Sequence, residues 1–281
     1  MRIFVTGGTG LLGAALVARS LALGHAVVAT HLRQAPGDPR ARWLRLDVTD
    51  AGAAARVLAG ASPDAVIHTA YAFQGEAMRA VTVGGAEHVA AVACSAGARL
   101  VHLSTDVVFD GEREGRWRED DPVSPITPYA RAKVDAEARV GAAHPGAAVV
   151  RTSLLYTLGP DDRQLRLARD LVEGRAAGAL FTDEVRCPSL VDDVAAALVE
   201  LAGLPWAGPL HVAGDEAVSR YDFAARLLRA HGVDPAGLPA ARSADQPARR
   251  PRNCALSAER ARGLLATRVR GLGEVLGASA T

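Results

Sequence analysis

The sequence predicts an α/β fold built as a doubly wound parallel sheet, and three observations predict it. Short apolar runs alternate with longer, Ala-rich stretches through the first half of the chain. Runs such as Ala65-Val66-Ile67 are apolar at every position, which fits strands covered on both faces. A glycine-rich turn joins the first run to the first helical stretch.

The elements follow in order. Arg2–Thr6 is a β-rich run ending in glycines, and Leu11–Leu23 has helical spacing. Ala26–Thr30, Trp43–Asp47, Ala65–Thr69, Arg99–Ser104 and Ala147–Thr152 are further strands. Asp50–Ala59, Glu76–Ala96 and Tyr129–Ala143 are Ala-rich and read as the helices between them. After Arg151 the pattern changes, and Gly159-Pro160-Asp161-Asp162 breaks the chain. Leu165–Val172 and Leu190–Leu201 read as helices, Pro209–Val212 as a strand, and Ser219–Ala230 as a helix. Gly232–Asn253 is rich in Pro, Ala and Arg and reads as irregular. This divides the chain into a nucleotide-binding part at 1–156 and a smaller part at 157–281, with elements interleaved.

Composition narrows the function. The 281 residues are 49% hydrophobic and 22% charged, with a formal net charge of +1. That balance gives no electrostatic case for nucleic acid or for an anionic membrane. The apolar stretch from Leu11 to Thr30 is broken by Arg19, Gly24 and His25, so it does not read as a span. Cys94, Cys187 and Cys254 are too few and scattered for a disulfide framework, which fits a reducing compartment. The expectation is a soluble cytoplasmic protein. Only 4% of residues are aromatic, so each ring near a motif carries weight.

The turn Thr6-Gly7-Gly8-Thr9-Gly10-Leu11-Leu12-Gly13 has a physical job. Gly7 allows a tight turn, Gly10 lets backbone amides approach a pyrophosphate, and Gly13 lets helix and sheet pack closely. Thr9, Leu11 and Leu12 complete the phosphate-facing helix start. At the end of the second strand, Ala29-Thr30-His31-Leu32-Arg33 holds no carboxylate to read a ribose. Arg33 either pairs with a 2′-phosphate, favouring NADPH over NADH, or is a solvated loop residue. Asp47 and Val48, after the third strand, are placed to meet the adenine edge; Asp50 does so or caps a helix.

Ser104-Thr105-Asp106 ends the fifth strand, and Tyr129-Ala130-Arg131-Ala132-Lys133 opens the next helix. Residues four apart share a helical face. An ammonium there is expected to draw the Tyr129 phenol down from about 10. A tyrosine so tuned exchanges a proton with a carbonyl oxygen as hydride arrives. Thr105 stands where open α/β sheets bind ligands and would hold the same oxygen.

The glycine turn, the strand-end Thr105 and the Tyr129/Lys133 helix resemble an extended short-chain dehydrogenase/reductase with a Rossmann-type sheet. Ser104-Thr105-Asp106-Val107-Val108-Phe109-Asp110-Gly111 and Pro128–Lys133 resemble the dTDP-4-dehydrorhamnose reductase family. So do Arg151–Tyr156, Asp183–Ser189 and Arg250-Pro251-Arg252-Asn253, which places motifs in both parts of the chain. The resemblance implies a Rossmann domain with a smaller C-terminal substrate-binding domain. It implies NAD(P)H-dependent reduction at C4 of a 4-keto-6-deoxyhexose carried on a nucleoside diphosphate, within deoxysugar or dTDP-rhamnose biosynthesis. Tyr129 would be the proton donor, Thr105 would bind the oxygen, and Lys133 would hold the nicotinamide ribose. Thr69, Ala70 and Tyr71 would line the cofactor, while Ser104, Val107 and Leu154 would face the sugar. Three positions depart from the pattern: Val107 and Leu154 replace aromatics, and Thr82 stands where related enzymes carry Asn. An epimerase or dehydratase of the same superfamily is the alternative enzyme, and a dinucleotide-binding regulatory subunit the alternative class. A homodimer is left open.

Other residues read more plainly. His68 and His102 lie inside strands as structural histidines, and no Cys/His cluster supplies a metal. Asp192-Asp193 cap a helix or bind a divalent ion. Trp117 stacks on a substrate base or anchors its loop. Arg249, Arg250 and Arg252 clamp a pyrophosphate or form a solvated loop, with Arg250 the chosen contact.

Overall fold

β1 (Arg2–Thr6) is the strand about which the sheet is arranged. Ile3, Phe4 and Val5 are fully buried, and parallel partners lie on either side. The computed structural model describes residues 1–33 and 38–278. From β1 the chain runs through α1 (Leu11–Ala22), β2 (Ala26–His31), β3 (Arg42–Arg45) and α2 (Ala51–Ala61). It returns through β4 (Ala65–His68), α3 (Gly85–Ser95), β5 (Arg99–Thr105), α4 (Pro128–Ala143) and β6 (Ala148–Thr152). There follow β7 (Leu155–Tyr156), α5 (Arg163–Val172), β8 (Leu180–Phe181), β9 (Val185–Arg186), β10 (Ser189–Leu190) and α6 (Val191–Leu201). β11 (Gly208–His211), β12 (Val218–Ser219), α7 (Arg220–Ala230), β13 (Ala240–Ala241), α8 (Glu259–Leu264) and α9 (Leu272–Ala278) complete the order.

Seven of these strands form one parallel sheet in the order β11-β6-β5-β4-β1-β2-β3. The direction of winding reverses between β1 and β4, which opens a crevice at their carboxyl ends. Side chains alternate across each strand. Ile3 and Val5 therefore face a core with Leu16 of α1 and Leu198 of α6. Phe4 faces the other, with Leu58 of α2, Val89 of α3 and Val140 of α4. A third core joins Tyr156, Leu165, Phe223 and Leu228 between α5 and α7.

The second part of the chain is not laid simply beside the first. α6 packs on α1, and β11 pairs in parallel with β6. The remaining segments form two-stranded pairings, β10 with β7, β12 with β9 and β13 with β8. The last of these lies inside the stretch read as irregular. The long helix read over Glu76–Ala96 begins late: a π-helical turn spans Ala80–Gly84 and α3 starts at Gly85. Gly85 packs on Val48, where an added Cβ would stand 2.5 Å from the Val48 Cγ2. Among the described residues no helix is long and apolar enough to cross a membrane.

Leu198 is fully buried where α6 meets α1. Leu198→Ala should lower the unfolding free energy by about 2–5 kcal/mol. Urea unfolding followed by circular dichroism would read this as a lower midpoint at unchanged slope.

Candidate active site

The glycine turn lies between β1 and α1, at the crevice. Gly7 has φ of +67°, and a Cβ there would sit 3.0 Å from the Ala70 nitrogen and the Thr69 Oγ1. A Cβ at Gly13 would collide with the Gly7 carbonyl, so helix and turn meet only because neither carries a side chain. The turn is fixed by Gly10 N–H donating to the Gly7 carbonyl at 2.9 Å and Gly8 N–H donating to Thr30 at 3.0 Å. Thr69 Oγ1 donates to the Thr6 carbonyl at 2.7 Å, which brings Thr69 and Ala70 onto the turn.

Capping separates α1 from α2, α4, α5 and α7. Asp50, Thr127, Asp162 and Ser219 cap α2, α4, α5 and α7 through their side chains. Gly10 offers α1 no such bond, and Thr9, Gly10 and Leu11 are exposed. The first amides of α1 thus remain for an anion, and the cradle fits a dinucleotide pyrophosphate. Leu12 and Gly13 are buried behind it. Arg33 is exposed just past β2. Asp47 accepts bonds from the Thr49 hydroxyl and N–H, which hold its carboxyl below the usual range. Val48 is buried, with its carbonyl bonded to His88. Asp50 is a helix cap, accepting from Ala53 N–H at 2.8 Å.

Thr105 ends β5, and a 3-10 turn over Asp106–Val108 follows. Its hydroxyl donates to Asp106 Oδ1 at 3.2 Å and accepts from Val107 N–H at 3.4 Å. Tyr129 follows Pro128 in the first turn of α4, and Lys133 lies one turn on. The Lys133 side chain reaches under the helix, where its Nζ donates to the Leu103 carbonyl at 2.5 Å. It is 4% exposed, and burial brings its pKa down to about 8 against the opposing pull of Glu137.

The expected lowering of Tyr129 is not what this arrangement produces. Burial first, then Tyr71 and Asp106, push the phenol up. The reason is geometric: the ammonium is engaged at Leu103, while Tyr71 and Phe73 pack on the Tyr129 ring at 6.0 and 4.8 Å. Tyr129 therefore keeps its proton.

Ser104 also departs from its expected place facing the sugar. It is buried, and its hydroxyl donates to Glu137, which Arg151 grips through two nitrogens at 2.8 and 3.1 Å. His68 and His102 stack at 5.3 Å within the sheet. Burial, with Lys133 nearby, lowers His68 to about 3 and His102 well below its usual value. Thr82 is buried, and its hydroxyl accepts from Ala72 N–H and donates to the Ala72 carbonyl.

Val107 and Leu154 are partly buried, Leu154 against the core between α5 and α7. The three clustered arginines separate: Arg249 and Arg252 pair with Glu112, and Arg250 pairs with buried Glu184. Arg186 and Arg220 join Arg250, Glu184 and Asp106 in one cluster, which the pattern of residues did not reveal. Their positions in sequence are too far apart to suggest it. Glu137 was more accessible to reasoning, being one turn beyond Lys133. So was a plainer signal: Lys133 is the one lysine among 32 basic residues. Trp117 is a loop anchor, stacked on Phe109 at 4.4 Å with its Nε1 donating to Asn253. Asp193 is paired with Arg270, and no metal-binding cluster occurs among the described residues.

Residues 1–278 match the family model described as RmlD substrate binding domain. The chain belongs to that family. It is 34% identical over 264 residues to a dTDP-4-dehydrorhamnose reductase of Mycobacterium tuberculosis, covering 90% of this chain and 83% of that protein. A protein of the same name from Mycolicibacterium smegmatis is 32% identical over 243 residues, covering 83% and 70%. A solved dTDP-4-dehydrorhamnose reductase from Clostridium acetobutylicum superposes with a TM-score of 0.83 at 25% identity, covering 100% and 98%. The family match spans Thr105, Tyr129 and Lys133 as well as Arg186, Arg220 and Arg250.

The burial of Lys133 has a pH signature. Below about pH 8 it is charged in both folded and unfolded chains, and its burial penalty is fully present. Between there and about 10.4 the unfolded chain binds a proton that the folded one lacks, so stability rises with pH. Against a Lys133→Met variant, the wild type should recover about 2–3 kcal/mol from pH 7 to pH 10. Paired urea titrations at the two pH values measure it.

Proposed function

We propose that the protein reduces the C4 keto group of a nucleoside-diphosphate 4-keto-6-deoxyhexose, with NADPH as the preferred donor and NADH as the weaker one. The observation that carries this reading is a phenol kept protonated, Tyr129, in the first turn of a helix that packs on the strand ending in the Thr105 hydroxyl, with a buried ammonium one helical turn away.

The dinucleotide supplies a hydride to C4 when bound. The glycine turn and the uncapped start of α1 hold its pyrophosphate. Arg33, exposed past β2, pairs with the 2′-phosphate. Thr69, Ala70 and Tyr71 line the cofactor from the β4 side, and Asp47 and Val48 border the adenine. Thr105 donates a hydrogen bond to the C4 oxygen, exchanging its contact with Asp106 for the substrate. Tyr129 gives that oxygen its proton as the carbon accepts the hydride, leaving an alcohol and a phenolate. Lys133 then lies one turn away to favour the phenolate and to hold the nicotinamide ribose. Val107 and Leu154 border the sugar, and Arg250 meets the diphosphate.

The acid beside Thr105 favours reduction over dehydration or epimerisation. Asp106 is 4% exposed, and its oxygens are taken by Ser153 and Thr105. Burial raises its pKa, and with 4% exposure and Oδ2 held by Ser153 it is not presented to a second carbon when Thr105 turns to the substrate.

Purified protein with NADPH and a dTDP-4-keto-6-deoxyhexose should lose absorbance at the nicotinamide band. Binding of NADPH without that loss, across a panel of 4-keto nucleotide sugars, would overturn the reading in favour of a regulatory subunit. Tyr129→Phe should lower kcat by about 10²–10⁴ while NADPH affinity stays unchanged. Arg33→Ala should raise the KM for NADPH about tenfold and leave that for NADH alone. Equal effects on both cofactors would remove Arg33 from the 2′-phosphate.

A further inference from the structure

The chain has only 5 Phe, 3 Trp and 4 Tyr. Five are buried and five partly buried, while Phe73 is 61% exposed and Tyr71 is 54% exposed. A single exposed ring needs no explanation. Here the two most exposed rings lie two residues apart, and both pack on the Tyr129 ring.

The segment carrying them is fixed in place. Thr69 is tied to the Thr6 carbonyl, and both backbone groups of Ala72 are bonded to the buried Thr82 hydroxyl, at 3.1 and 3.0 Å. Phe73 therefore leaves an anchored residue, and its exposure is not that of a frayed loop. From this mount we infer that Phe73 is a specificity-determining residue: its ring meets the apolar face of the substrate's 6-deoxyhexose beside the C4 carbonyl. The inference rests on the nucleotide-sugar reading and names a contact which that reading leaves open.

Position decides what the ring can touch. Its centroid is 4.8 Å from that of Tyr129, so it borders the reacting end of the ligand. The guanidinium groups suited to a diphosphate, those of Arg186, Arg220 and Arg250, gather around Glu184 and Asp106 and not around the Tyr129 ring. A nucleoside diphosphate anchored there places its base beyond the phosphates, away from Tyr129. The sugar is the part that reaches Phe73. A 6-deoxyhexose has a methyl group where other hexoses carry a hydroxyl, so that side needs contact area and no hydrogen-bond partner. An aromatic face supplies that area.

Equilibrium binding tests this without turnover. The quantity is the ratio of Kd for dTDP to Kd for dTDP-L-rhamnose, measured by calorimetry with NADP⁺ present. The wild type should bind the sugar nucleotide more tightly. Phe73→Ala should shrink that ratio about tenfold, equivalent to 1.4 kcal/mol, with Kd for dTDP and for NADPH unchanged. Phe73→Tyr should restore it. The inference is overturned if the wild type shows no such ratio or if Phe73→Ala preserves it. A parallel loss of NADPH affinity overturns it too, since the ring would then serve the nicotinamide. Failure of the reductase reading shows separately, as absent NADPH oxidation by the wild type.

Discussion

A single buried ammonium organises the carboxyl ends of β4, β5 and β6. Lys133 is almost wholly out of water, and a cation so placed costs several kcal/mol unless it is answered. The Leu103 carbonyl answers it directly, and the Glu137 carboxylate lies one turn further along α4. Glu137 is itself held by Arg151 from β6 and Ser104 from β5, so three elements close around one charge. The same charge keeps its other neighbours neutral, for His68 and His102 are lowered by burial and by Lys133 together. Strand alternation then assigns the two hydroxyls of Ser104-Thr105 to different tasks. Ser104 serves the network below α4, while Thr105 is left at the strand end.

That arrangement also sets the direction in which Tyr129 is biased. Because Lys133 is committed to Leu103, burial under Tyr71 and Phe73 governs the phenol and holds its proton in place. On the reductase reading this suits a proton donor, since an early phenolate would have nothing to give. On that reading, once the proton has left, the Lys133 ammonium one helical turn away offsets part of what burial costs the phenolate. Stabilisation that grows along the reaction is the kind that accelerates it.

How much of this could be read without coordinates follows from where the partners of each residue lie. Apolar runs placed all seven sheet strands, because a strand such as β4, covered on both faces, needs nothing else to declare it. Glycine spacing and the Tyr129–Lys133 spacing were legible because each motif is complete within eight residues. The late start of α3 was not, since it depends on Gly85 meeting Val48 and on Thr82 binding Ala72. The placement of Arg220 beside Arg186, Glu184 and Arg250 was equally hidden. The Tyr129–Lys133 spacing suggested an electrostatic pairing that the fold replaces, because it supplies Lys133 with a closer oxygen.

The arginine cluster carries an excess of positive charge that its own carboxylates do not balance. Arg186, Arg220 and Arg250 share two buried carboxylates, Glu184 and Asp106, so cations outnumber anions. Arg220 registers the imbalance: burial, then Arg186, lower its pKa to about 10. Arg186 is tethered to the carbonyls of Val185, Pro251 and Arg252, and cannot turn away from its neighbours. Arg250 is half-exposed, paired with Glu184 through Nε and stacked near Phe181 at 5.2 Å, and it is the member with most of its surface turned outward. Such a cluster carries a standing electrostatic cost that added anions lower. On the nucleotide-sugar reading, the diphosphate brings the missing negative charge to a cluster already built to want it. Binding energy gathered there, remote from C4, is then available to hold the keto carbon against Thr105 and Tyr129.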